Sequence, residues 1–163
     1  MMSRLASLSA VACLAAFSAG IYAEPVSGDF GLQLGATVER QSIIGPVTEP
    51  HGASLYAIRP PAPQPHYVEY FVGLSSQQRI GLIRARSAPM ATTACYRTYR
   101  ATSKQLQERH PHSGYYALDD GDMYYDGTRQ VVVACEVDGN SGRVVVEYVD
   151  ETIDQTEAGA VPP

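Results

Sequence analysis

Cys95 sits in a stretch with helical period and Cys135 in one that alternates like a strand, so a bond between them would clamp a helix across a sheet. Ala91, Cys95, Tyr99, Thr102 and Leu106 recur at spacings of three and four and share one helical stripe, while Arg97, Arg100 and Lys104 form a cationic stripe on another side. The spacing predicts a helix over Met90–His110, with Pro89 before it and Pro111 after it. Val131, Val133, Cys135 and Val137 share one face of a predicted strand over Gln130–Val137. Asp138-Gly139-Asn140-Ser141-Gly142 is a strong turn signal ahead of a return strand over Arg143–Val149. Cys95, on the apolar stripe, is therefore expected to face the sheet that carries Cys135.

A bridge needs an even count of cysteines and an oxidising compartment, and the N-terminal residues bear on both. Arg4, followed by the uncharged run Leu5–Gly20 of Ala, Leu, Val and Ser, reads as a secretory signal over residues 1–23, cut after Ala23 with Ile21 three residues before the cut. The run is too short and too rich in small residues for a membrane span, which needs about 20 strongly apolar residues, and no second such run follows. Ala10-Val11-Ala12-Cys13 faintly resembles a bacterial lipoprotein box but lacks its usual leucine. Removal of the signal takes Cys13 away and leaves Cys95 and Cys135 as one pair, expected as a disulfide in the periplasm or outside the cell. Their separation of 40 residues corresponds to a stabilisation of about 4 kcal/mol on the chain-entropy argument. The competing reading, a free nucleophilic thiol, needs a base beside it and a reducing environment.

Loss of Arg4 also takes the formal net charge from −5 to −6, and the remaining cations are arginines apart from Lys104. An acidic chain is poorly suited to neutralising phosphates, which argues against a nucleic-acid partner.

Residues 24–153 read as a single domain and 154–163 as a disordered tail, since the end of the chain is polar, small and proline-terminated. Phe30–Gly35 is predicted as a short strand or extended entry, and Ala36–Ser42 as one or two helical turns that Gly45-Pro46 stops. Ser54–Arg59 has strand composition and runs into a stiff loop with Pro60, Pro61, Pro63 and Pro65. Tyr67–Leu74 and Arg79–Arg86 form a predicted hairpin across Ser75-Ser76-Gln77-Gln78. The sum is an α+β domain: an antiparallel sheet of about five strands with one long helix packed on one face, in the order strand, hairpin, helix, hairpin. The layout is similar to small envelope domains of the BamE-like or β-lactamase-inhibitor-protein-like kind, a likeness of arrangement that carries no residue across.

Catalytic signatures are missing: there is no Gly-x-Ser-x-Gly elbow, no His-Glu-x-x-His, no phosphate-binding glycine loop and no cofactor motif, so the expectation is a protein that is not an enzyme and takes no cofactor. His110-Pro111-His112 supplies half of a metal site at most and reads as a solvated helix end. Glu69, Glu136 and Glu147 fall in predicted strands, and Glu136 and Glu147, on the two arms of one hairpin, are expected to face arginines on its exposed surface. Ser113–Gly127 is the unusual segment. It gathers Tyr115, Tyr116, Asp119, Asp120, Asp122, Tyr124, Tyr125 and Asp126. A calcium loop fits poorly, with Tyr124 where a third ligand belongs. A protein-binding surface fits better, with tyrosines as rigid anchors and aspartates complementing a basic partner. A plain loop, half of its tyrosines in the core and its aspartates in turns, is the reading it competes with. The function expected from these residues is an exported protein-binding module, an inhibitor or immunity-type protector against an enzyme of the bacterial envelope. The alternatives are a structural or assembly factor of the envelope and, third, an enzyme without a recognisable motif.

Overall fold

β-Branched and aromatic residues fill most of the chain's extended runs, and in the computed structural model, which describes residues 25–48 and 54–154, they all join one antiparallel sheet. The strands are β1 (Ile43–Thr48), β2 (Ser54–Ile58), β3 (Tyr67–Leu74), β4 (Ile80–Ser87), β5 (Met90–Ala91), β6 (Gly114–Ala117), β7 (Gly121–Asp126), β8 (Arg129–Asp138) and β9 (Ser141–Asp150), with helix α1 (Thr92–Arg109) between β5 and β6. The spatial order is β1-β2-β3-β4-β9-β8-β7-β6, and β5 adds a short bridge to β9. Two four-stranded meanders thus meet along β4 and β9, and α1 is the connection between them. The expected signal, 1–23, lies outside the described residues, as does all of the expected tail beyond Asp154.

The α+β class holds, but the sheet has nine strands where about five were expected, and the simple order of strand, hairpin, helix and hairpin gives way to the double meander. β1 was hidden by Gly45-Pro46, which reads as a stop. An edge strand accommodates the proline because its missing N–H is not needed on the outer side. Met90 and Ala91 pair with Gly142 and Ser141 as β5, so the helix starts later than its stripe suggested. Phe30–Gly35 is not a strand. Asp29-Phe30-Gly31-Leu32 is a tight turn closed by Leu32 N–H donating to Asp29 O at 2.9 Å, with φ of 61° at Phe30 and 76° at Gly31. Positive φ at a phenylalanine is unfavourable. It is offset by burial of the ring, which meets Tyr67 and Tyr70 edge-on at 5.4 and 5.3 Å.

One face of the sheet carries the main core in two parts. Over β7, β8 and β9 lies α1, whose Cys95 and Leu106 are buried. Cys95 is joined to Cys135 on β8, with Sγ atoms 2.04 Å apart and Cα atoms 5.8 Å apart. Gly142 on β9 makes room for the bridge, since a Cβ there would sit 2.8 Å from Cys95 Cβ. Over β2, β3 and β4 lies the coil before β1, burying Val26, Phe30, Leu32 and Leu34 against Tyr56, Tyr70, Val72 and Ile83. Asp29 ties the two parts together. Its carboxylate lies 2.6 Å from Arg109 Nη1 at the end of α1, and Tyr148 Oη approaches it at 3.4 Å.

The opposite face holds a smaller cluster, Leu55, Phe71 and Leu82, followed by a ladder of ion pairs. Glu69 meets Arg143 at 3.0 Å, Glu136 meets Arg86 at 3.9 Å, and Glu147 meets Arg84. Glu136 and Glu147 oppose arginines as expected, although Glu147 is half-buried, and Glu69 adds a third pair that the sequence did not suggest. His110 departs from expectation: only 3% exposed, it is packed beneath the helix end and is not solvated.

Candidate protein-binding edge

The segment expected as an acidic loop is a hairpin, β6 and β7, that forms one end of the sheet. Asp119 and Asp120 occupy its two-residue turn, closed by Leu118 N–H donating to Gly121 O at 2.9 Å. Along β7 the side chains alternate. Asp122 and Tyr124 turn toward α1, where Val133 and Val131 are their neighbours on β8, and Met123 and Tyr125 turn to the other face.

Asp122 is the organising residue. Its Oδ2 accepts from Tyr99 Oη at 2.7 Å and from Ser103 Oγ at 2.5 Å, both one turn apart on α1, and its Oδ1 accepts from Tyr115 Oη on β6 at 2.7 Å. Tyr124 Oη lies 2.8 Å from Ser103 Oγ and donates to the Ser103 main-chain oxygen at 3.1 Å. Loss of water around the Asp122 carboxyl raises its pKa, but the hydroxyls of Ser103, Tyr99 and Tyr115 outweigh this and hold it below the usual carboxylate range. The phenols respond in the opposite sense. Burial, then the bond to the Asp122 anion, raises Tyr99; for Tyr115 the bond to Asp122 is the leading cause; burial raises Tyr124. A carboxylate fed by three hydroxyls fixes the positions of α1, β6 and β7 relative to one another.

Two of the eight residues expected at a partner surface are therefore removed from it. Tyr124 is 3% exposed, and Asp122 spends its acceptors on α1 and β6. What remains outside is Tyr115, Tyr116 and Tyr125, at 55, 60 and 45% exposure, together with Asp119, Asp120 and Asp126. Leu118 at the turn is also exposed, an apolar contact that sequence reading passed over and that its place between two strands explains. The hairpin is pinned on both faces. Tyr115 is bonded to Asp122 and packs on Tyr124 with ring centroids 5.5 Å apart. Tyr125 lies across Gly114, where a Cβ would come within 2.1 Å of the ring.

Among the described residues no group of three or more His, Cys, Asp and Glu is placed to hold a metal ion, and no helix is long and apolar enough to cross a membrane. No known protein family, curated protein or solved structure matches this chain.

Proposed function

We propose that this is an exported protein-binding module that docks the β6–β7 hairpin on a basic protein surface, as an inhibitor or immunity-type protector of an enzyme acting in the bacterial envelope. The observation that carries the reading is the set of three exposed tyrosines and three exposed aspartates on a terminal hairpin that Asp122 anchors from beneath. Aromatic anchors held in place before contact lose little conformational entropy on binding, and exposed carboxylates steer a cationic partner. The joined cysteine pair is in keeping with an oxidising compartment such as the periplasm.

The experiment starts from immobilised protein and an envelope extract. A captured basic enzyme whose activity falls on addition of the protein, and recovers when Asp119, Asp120 and Asp126 are all changed to Asn, supports the proposal. Association with wild type should slow as salt is raised, since exposed charges are screened beyond about 8 Å at physiological ionic strength. Capture of a membrane-assembly complex with no loss of any enzymatic activity would favour the assembly factor instead.

A further inference from the structure

The two ends of the sheet are finished differently. At one, β1 carries Pro46, which has no N–H to offer, and its register slips between Ile43 and Gly45. At the other, β6 reads Gly-Tyr-Tyr-Ala, without proline, lysine or any slip in its register against β7. The turn fixes which of its groups face outward. Because Leu118 and Gly121 form a hydrogen-bonded pair, alternation makes Tyr116↔Met123 and Gly114↔Tyr125 the next bonded pairs. Tyr115 and Ala117 then hold the positions whose N–H and C=O turn away from β7. No strand among the described residues pairs with that outer side.

We infer that β6 is a strand-addition edge that takes an extended, basic segment of a partner protein into the sheet. This rests on the reading of the hairpin as the docking surface and supplies its mode of contact. Main-chain bonds to Tyr115 and Ala117 give the added strand its register. Tyr115 on one face and Tyr116 on the other flank its alternate side chains, and Asp119, Asp120 and Asp126 favour arginine or lysine among them. The edge already has strand form, because the Tyr115 bond to Asp122 and the packing of Tyr125 on Gly114 hold it there. A second copy of this chain is the poorer occupant, since it brings a like net charge of −5.

The probe is a short synthetic peptide alternating arginine with valine and threonine, followed through the backbone amide resonances of the chain at low salt. Two further versions carry N-methyl groups on alternate residues, along one edge in the first and along the other edge in the second. Strand addition predicts that the plain peptide and one methylated version shift the Tyr115 and Ala117 amides and slow their exchange, while the other binds at least about tenfold more weakly. Ala117→Pro, which removes an outward donor and leaves the β7 bonds intact, should weaken binding by a similar factor. Equal binding of both methylated versions, lost when Asp119, Asp120 and Asp126 are changed to Asn, would overturn strand addition and leave the acidic docking surface standing. Edge-selective binding indifferent to those three changes would keep the edge but remove the acidic surface and the basic segment with it. No shift at millimolar peptide overturns both. A concentration-dependent dimer that Ala117→Pro abolishes would seat a second copy on the edge and overturn the assigned occupant.

Discussion

The two halves of the sheet bury the same face by opposite means. Over β7–β9 the cover is α1, a regular helix tied down covalently by Cys95–Cys135. Over β2–β4 it is the coil from Val26 to Leu34, with positive φ at Gly28, Phe30 and Gly31 and no periodic structure of its own. A helix satisfies its own backbone and needs only an apolar stripe. The coil must place its polar groups one at a time, through Leu34 N–H on Ser27 O, Gly35 N–H on Ile80 O and Ala62 N–H on Phe30 O. A core contribution can thus be as complete without secondary structure as with it: Val26 and Cys95 are both fully buried.

Equality of the two covers is open to a direct break. Phe30→Ala removes the ring that fills the space between Tyr67 and Tyr70, and the alanine keeps the unfavourable positive φ. A loss of about 3 to 5 kcal/mol in urea unfolding is expected, as for large-to-small changes in a packed core. A loss under about 1 kcal/mol would show that the coil is a loose strap. On the other half, changing both Cys95 and Cys135 to Ala should cost about 2 to 5 kcal/mol. The same loss should appear on reduction of the wild-type bridge, and no shift in the unfolding midpoint on reduction would show that α1 is held by packing alone.

The same contrast explains what the sequence made legible. The α1 stripe through Cys95 and Leu106 and the β8–β9 hairpin follow from local period and turn residues, and the structure holds both, with α1 starting at Thr92 after the short β5. Val26, Phe30, Leu32 and Leu34 have no such period, because their placement depends on turns at Phe30-Gly31 and on distant partners on β2–β4. The β6–β7 hairpin was lost for a related reason. Asp119-Asp120 and Gly121 are turn formers, and the strand that follows puts a carboxylate, Asp122, on its inward side, where an apolar residue would mark the alternation. What makes an inward aspartate tolerable is the pair Tyr99 and Ser103, one helical turn apart on α1. That signal is present in the sequence, but only the fold brings it opposite position 122. Sequence alone sets Tyr124 beside Tyr125 without separating them; the pairing of β7 with β8 turns the first inward and the second outward.

The smallest effect concerns how each half ties down a carboxylate. Asp29, in the coil, faces a guanidinium, whereas Asp122, beside the helix, accepts from three hydroxyls and meets no cation among its bonded partners. The hydroxyls hold the folded pKa of Asp122 below its ordinary value against the opposing loss of water. In the unfolded chain the group titrates near the ordinary carboxylate value of about 3.8. A group with a depressed folded pKa adds stability that is present above the unfolded value and is lost as pH falls through the folded value. Asp122→Asn should therefore lower Tm at neutral pH and leave Tm nearly equal to that of wild type once the pH is below both values. Because the site is partly open to water, the difference at pH 7 is expected to stay within about 1 kcal/mol, a shift of a few degrees. Asp150, also held low, by Thr152 and Arg129 against the loss of water, titrates in both proteins and cancels from the comparison. Melting curves of the two proteins from pH 2 to 7 measure this. A Tm difference that stays constant across that range would mean that Asp122 acts through its shape and not its charge, and the two halves would then differ in their covers but not in how a half-buried carboxylate is held.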